Sequence, residues 1–229
     1  MTARELVPQL IVRGIGAALV FGCAVFISAG DIGWIMGWVV LVFMIGGMTA
    51  ASLAMARVSP DLLAERLSLK GGVQKGDLVL AYLIAIVIPL AILITAGLDR
   101  RFGWGERLPF AARLGGLVLM ALGQQLMYRA MLANRFFSSV VRIQTERGHH
   151  VVTTGPYRVV RHPGYVGILL YWIGTPLTLG SAWALLPAAL DVSVTVLRAA
   201  LEDRTLHGEL TGYAEYAQRV RYRLIPYVW

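Results

Sequence analysis

Six apolar stretches, at about residues 7–29, 33–56, 78–97, 111–132, 164–180 and 182–201, dominate this 229-residue chain. A helix needs about 20 apolar residues to cross the roughly 30 Å hydrocarbon core of a bilayer. The first four stretches meet that length. The fifth is short and interrupted by Pro176, and with the sixth it reads as a tight hairpin turning at Leu179–Gly180–Ser181. Only 15% of the residues are charged, against about 25% in a soluble domain, so lipid is the main solvent. The fold class expected is all-α, a polytopic transmembrane helix bundle. Residues 7–29 are long enough to span and a second span follows at once, so they read as the first transmembrane helix rather than a cleaved signal.

The net charge is +8, and basic proteins often bind nucleic acid. Here the positive residues flank apolar spans, where membrane topology and anionic lipid account for them, and no nucleic-acid partner is expected. Arg4 and Arg13, the 57–77 loop, the 133–163 loop and the tail from Arg204 fall on one side if six spans alternate. The positive-inside rule places that side, with both termini, in the cytoplasm. Arg100, Arg101 and Arg107 lie on the other side. The single cysteine, Cys23, sits inside an apolar run and belongs to no metal-ligand pattern. Gly33 and Gly37 are spaced for close helix packing. Over 204–224, Leu206, Leu210, Tyr213, Ala217 and Val220 recur at helical spacing, which predicts an amphipathic helix on the membrane surface, ended by Pro226.

The polar stretch from Gln144 to Tyr165 joins two hydrophobic helices and holds two turns, at Gly155–Pro156 and His162–Pro163. Turns at a helix entrance leave backbone N–H and C=O groups free for a ligand. Tyr157, Arg161, His162 and Tyr165 add two aromatic faces, a cation and a switchable donor, a set that suits an adenosine. An ordinary juxtamembrane loop with basic anchors and interfacial tyrosines is the alternative.

In the sixth stretch Asp191, Thr195, Arg198 and Glu202 are spaced by four, three and four, which puts all four on one helix face. An ionised side chain near mid-membrane costs at least about 2.5–3.5 kcal/mol, so such residues need partners or a wet cavity. An Arg198–Glu202 pair at the membrane edge serving only structure is the plain alternative. Gln124, Gln125 and Tyr128 give the fourth span a polar patch, suited to bonds between helices or to the same cavity. No zinc-binding, Walker, Rossmann or nucleophile-elbow pattern is present, so no metal is expected and any cofactor must bind at the loop and bundle.

Three elements together resemble the isoprenylcysteine carboxyl methyltransferase family: H-x-V-V-T-x-G-P-Y at 149–157, R-H-P-x-Y-x-G at 161–167, and the acidic pair Glu202–Asp203 followed by Leu206, Tyr213, Tyr216 and Val220. They span about the last 85 residues; the first 130 match only as generic spans. Phospholipid N-methyltransferases share much of the pattern. The resemblance implies S-adenosylmethionine as cofactor, bordered by His149, His150, Val151 and Val152, then Tyr157, with His162, Pro163, Gly164 and Tyr165 as the next wall. Gln144 matches a cofactor-contacting glutamine and Glu202 the glutamate that meets the cofactor. Arg198 matches the arginine on the substrate side, and Arg198 and Glu202 are the expected catalytic pair. Asp203 stands where many relatives have a second glutamate.

The expected organisation is thus 1–132 as N-terminal transmembrane helices and 133–229 as a cofactor-binding region with a helix hairpin and tail. The function implied is methyl transfer to a carboxylate, or another nucleophile, of a lipophilic or small acceptor, with membrane lipid as surroundings. A phospholipid N-methyltransferase, an NADPH-dependent reductase of the sterol type and a non-enzymatic scaffold or transporter are the other readings. The geometry expected is a hinge around Pro156 and Pro163 folded over the inner end of the last membrane helix, enclosing a pocket.

Overall fold

The computed structural model describes residues 3–67 and 75–229. The described residues form helices and irregular segments with no strand. In order these are α1 (Ala3–Ala29), α2 (Ile35–Val58), α3 (Pro60–Leu67), α4 (Lys75–Tyr82), α5 (Ile88–Phe102), α6 (Phe110–Ala133), α7 (Pro163–Leu179), α8 (Leu185–Glu209) and α9 (Tyr213–Arg219). Among the described residues, four helices are long and apolar enough to cross a membrane: Pro8–Ala29, Ile35–Val58, Gly76–Phe102 and Phe110–Ala133. The third merges α4 and α5 through a π-helical turn at Leu83–Val87, where the Ile88 N–H reaches back to Leu83 O. Pro89 follows at once. A proline ring clashes with the carbonyl four residues earlier and donates no hydrogen bond, and a widened turn relieves both faults.

The all-α bundle read from the sequence is borne out. α7 has 17 residues, about 26 Å at 1.5 Å per residue, just short of the hydrocarbon core. It turns into α8 through Gly180, whose φ of 80° is left-handed. α8 inverts the soluble pattern. Leu186, Leu190, Leu197 and Leu201 are exposed, while Asp191, Thr195, Arg198 and Asp203 are buried. A helix that hides its polar face and shows leucine is built for lipid on the outside and a polar interior. α6 follows the same logic, with Leu114, Val118 and Leu122 exposed and Gly116, Met120 and Gly123 buried.

α6 and α7 run antiparallel at glycine-limited distance. A Cβ at Gly123 would lie 2.5 Å from Gly167 O, and one at Gly167 would lie 2.7 Å from Gly123 O. Gly116 and Gly174 meet in the same reciprocal way, a Cβ at Gly174 falling 2.5 Å from Gly116 O. Small residues let backbones approach and gain packing where lipid supplies no hydrophobic drive. The obstacles are backbone atoms, so Gly167→Val is expected to cost at least about 1–3 kcal/mol. Thermal unfolding in detergent reads the loss against Gly115→Val, whose Cβ meets nothing within 4 Å. Equal midpoints for the two variants would remove this contact from the account.

The charged segments sort to two ends. At one, Arg100 meets Asp31 at 2.6 Å, Ser181 donates to Asp99 at 2.5 Å and Leu108 N bonds Gly180 O. At the other, α3, the 134–162 segment and the tail are tied together. Arg142 bonds Glu65 at 2.7 Å, Arg147 bonds Asp61 at 2.5 Å, and Arg161 N and His162 N bond Tyr222 O and Arg223 O.

The single helix expected over 204–224 is corrected. α8 continues to Glu209 and stops at Leu210, because Gly212 adopts a left-handed φ of 82°. The short α9 then doubles back and ends at Arg219, well before Pro226. Its apolar side does not face lipid. Leu210, Tyr213 and Tyr216 pack on Ile143, Val151 and Leu206. Of the polar patch on α6, Gln124 lies against Gly47 of α2, and none of Gln124, Gln125 or Tyr128 lines the main cavity.

Candidate active site

A cavity of about 410 Å³ opens between the 134–165 segment, α8 and the membrane helices. That volume lies within the usual range for small-molecule sites. Its walls come from two kinds of surface. Met48, Ala81, Ile84, Ala85, Met127 and Trp172 come from the apolar helices. His149–Val152, Tyr157, His162 and the tail tyrosines come from the polar segments. The π-turn contributes Ile84 and Ala85, which ties that local irregularity to the cavity.

The 134–162 segment is held by designed-looking polar ties rather than by regular structure. Asn134 closes α6, its Oδ1 accepting from Phe136 N at 2.9 Å and its Nδ2 donating to Tyr157 Oη at 3.2 Å. Asp77 Oδ2 accepts from Val141 N at 2.7 Å. Burial pushes the Tyr157 phenol up, so it stays protonated. His149 lies against Phe136, ring centroids 4.5 Å apart. Its Nδ1 accepts from Gln144 N at 3.2 Å. Burial, then the positive neighbours His150, Arg147 and Arg142, lowers its pKa to about 4, so the imidazole is neutral at pH 7. Among the described residues, the backbone groups of His150, Val151 and Val152 have no backbone hydrogen-bond partner. Their free N–H and C=O edges are open to a planar heterocycle.

On α8, Glu202 Oε2 accepts from Tyr165 Oη at 2.6 Å, and Glu202 lines the cavity. One turn earlier Arg198 donates to both carboxylate oxygens of Asp77, at 2.8 and 3.2 Å, and to Ser139 O at 2.8 Å. Its guanidinium lies 5.8 Å over the Tyr165 ring. Asp203 points the other way. It receives Arg161 at 2.7 and 3.0 Å, Tyr213 at 2.9 Å, Arg223 at 2.8 Å and His162 Nε2 at 3.3 Å. Adjacent acids on one helix thus do different work, Glu202 facing the cavity and Asp203 holding the loop and tail together.

Ten of the twelve residues expected at the site line this one cavity: His149, His150, Val151, Val152, Tyr157, His162, Gly164, Tyr165, Arg198 and Glu202. Gln144 and Pro163 do not. Gln144 is fully buried behind the wall, its Nε2 donating to Phe136 O at 2.8 Å while its Oε1 accepts from Arg147. Its amide is spent on shaping the 136–149 segment. Pro163 opens α7 and its ring is buried at the helix start. Asp191 and Thr195 are buried on the same face of α8 but lie outside the cavity lining.

The matching sequence pattern coincides with these walls. Residues 111–208 match the phospholipid methyltransferase family model. Curated relatives agree with the resemblance drawn from the three motifs. The chain is 34% identical over 113 residues to a probable protein-S-isoprenylcysteine O-methyltransferase of Oryza sativa subsp. indica, covering 46% of this chain and 56% of that one. It is 28% identical over 222 residues to the protein-S-isoprenylcysteine O-methyltransferase of Homo sapiens, covering 93% and 72%. The chain therefore spans little more than half the length of the first curated relatives it matches. The fold resembles the solved eukaryotic intramembrane Ras methyltransferase, isoprenylcysteine carboxyl methyltransferase, with TM-score 0.54, 21% identity, and 97% and 86% of the two chains covered.

Within the phospholipid methyltransferase pattern and just beyond it, the third motif now has a physical reading. Tyr213 donates to Asp203 and Tyr216 donates to Tyr157 O at 2.8 Å, so the two tyrosines pin the tail over the loop. Residues that sequence reasoning missed include Asp77, Arg66, Phe136 and Phe137. Asp77 carried a signal, being an acid at the very start of an apolar span. Arg66 and the two phenylalanines carried none, since only the folding of α3 onto the 134–142 segment brings them to the cavity.

Proposed function

We propose that this chain is an integral membrane methyltransferase that uses S-adenosylmethionine and methylates a carboxylate on a lipophilic acceptor. The observation that carries the reading is the two-sided cavity, with a carboxylate and free backbone edges on one side and apolar membrane helices on the other. When bound, the cofactor supplies a methyl group activated by a sulfonium. The chain's residues fit it chemically. Glu202, steadied by Tyr165, meets an ammonium. The His150–Val152 backbone meets the adenine edge, with Tyr157 and His162 beside it. The tail tyrosines cover the site and exclude water.

Methyl transfer is an in-line displacement, so the protein contributes mainly proximity and orientation. A carboxylate acceptor attacks without first losing a proton. An amphipathic acceptor reaches the cavity from the bilayer, along the walls that Met48, Met127 and Trp172 provide. In this reading residues 133–229 are the cofactor-binding region and the site lies at the cytoplasmic end, where α3, the 134–162 segment and the tail gather their arginines.

A second reading, methylation of a phospholipid amine, is favoured by the matched family model. Incubating the protein in nanodiscs with methyl-labelled S-adenosylmethionine and a total lipid and metabolite extract decides between them. Label released as methanol by mild base is the expected result. Label retained on an amine headgroup selects the second reading. Saturable binding of NADPH with none of S-adenosylmethionine rejects both.

A further inference from the structure

Four arginines line the cavity: Arg66, Arg142, Arg161 and Arg198. Three are matched by carboxylates. Arg142 meets Glu65 at 2.7 Å, Arg161 meets Asp203 at 2.7 Å, and Arg198 meets Asp77 at 2.8 Å. Among the described residues Arg66 has no carboxylate partner. Its Nη1 donates to Phe137 O at 3.1 Å, and its guanidinium sits 5.6 Å over the Phe137 ring. Burial, and after it the nearby Arg198 cation, pushes its pKa down to about 10. It therefore stays charged at neutral pH. Arg66 is half-buried at the cavity wall, and a partly enclosed cation without a counter-ion is completed when a ligand brings the anion.

The place of Arg66 indicates which anion. α3 follows α2 and is tied to the 134–142 segment through Arg66 and Phe137 O, so Arg66 stands where the charged end of the cavity meets its apolar walls. Phe137 beneath it packs in one apolar cluster with Met55, Leu63 and Met127, and Met127 itself lines the cavity with Met48. Glu202 and the 149–152 backbone stand on α8 and the loop instead. Arg198, expected from the sequence to hold the acceptor, has two of its three nitrogens committed to Asp77 and Ser139 O. Among the described residues, the cavity arginine without a carboxylate partner is Arg66.

We infer that Arg66 is the anchor for the carboxylate of the methyl acceptor, fixing both its charge class and its approach to the cavity. This rests on the methyltransferase reading above. The shared chemistry is a carboxylate, which the methionine moiety of the cofactor also carries, so the experiment separates the two sources.

The full chain in nanodiscs is titrated with N-acetyl-S-farnesylcysteine, with its carboxamide counterpart and, separately, with S-adenosylmethionine. The wild type is expected to favour the acid over the amide by about 10- to 100-fold, the range of a charge-assisted hydrogen bond. In Arg66→Gln that preference is expected to collapse towards unity while cofactor affinity is unchanged, which also shows the variant to be folded. Arg66→Lys is expected to restore part of it. An acid preference that survives in Arg66→Gln overturns the assignment. So does a loss that falls on S-adenosylmethionine affinity, which would seat the cofactor's own carboxylate at Arg66. The acid-to-amide ratio is read without cofactor, so absence of S-adenosylmethionine binding would reject the methyltransferase reading and still decide whether Arg66 selects carboxylates.

Discussion

Asp203→Ala is expected to release the C-terminal segment and lower the stability of the protein by about 3–5 kcal/mol, the usual result of removing one partner from a buried ion pair. That is a large share of the roughly 5–15 kcal/mol that holds a folded domain. Asp203 is 1% exposed and binds groups from three separate segments: Arg161 and His162 before α7, Tyr213 on α9, and Arg223 in the tail. Without the carboxylate, the buried Arg161 guanidinium keeps only Val220 O and Arg221 O as acceptors. Its charge is then uncompensated. Hydrogen exchange should show residues 210–229 opening first, with thermal unfolding shifted down in the same sample. The double change Asp203→Leu with Arg161→Met removes both charges and is expected to recover much of the loss. If Asp203→Ala left both the unfolding midpoint and tail protection at wild-type values, the role given to this hub would be wrong.

The bundle was legible because membrane helices announce themselves through length and hydropathy, which are local properties. The hairpin of α7 and α8 was legible for the same reason, and the polar stripe on α8 because helical spacing alone aligns Asp191, Thr195, Arg198 and Glu202. The tail was misread because Leu206, Leu210, Tyr213 and Val220 fit a helix period on both sides of a glycine. Period does not reveal that Gly212 takes a left-handed turn and sends the apolar side onto Ile143 and Val151. The α6–α7 glycine contacts escaped notice too, since Gly116 and Gly123 acquire meaning only opposite Gly174 and Gly167. The site divides along the same line. Residues close in sequence, such as 149–152 and His162, Gly164 and Tyr165, line the cavity together. Partners separated by several helices, Arg198 with Asp77 and Arg66 with Phe137, were not legible, because nothing in a single sequence couples positions so far apart.

Glu202→Gln is expected to weaken S-adenosylmethionine binding by about 10- to 100-fold, corresponding to the loss of one charge-assisted hydrogen bond in a partly enclosed site. Gln keeps the size of the side chain and an oxygen able to accept from Tyr165 Oη, so the 2.6 Å contact has a neutral replacement. What disappears is the negative charge facing the cavity. Tyr165→Phe tests the complement, since it removes the donor and leaves the carboxylate. It is expected to have the smaller effect on affinity, by loosening the orientation of Glu202. The discriminating ligand is 5′-methylthioadenosine, which keeps the nucleoside and sulfur but lacks the amino-acid moiety. Calorimetry should find its affinity equal in wild type and Glu202→Gln, because in the proposed site the adenine edge meets the His150–Val152 backbone and not Glu202. A parallel fall for both ligands would mean that Glu202 acts through the shape of the cavity wall. An unchanged affinity for both would remove Glu202 from the site. Only a loss confined to the ligand bearing the ammonium places the charge of Glu202 against that group, and with it the methyl donor between the loop and the inner end of α8.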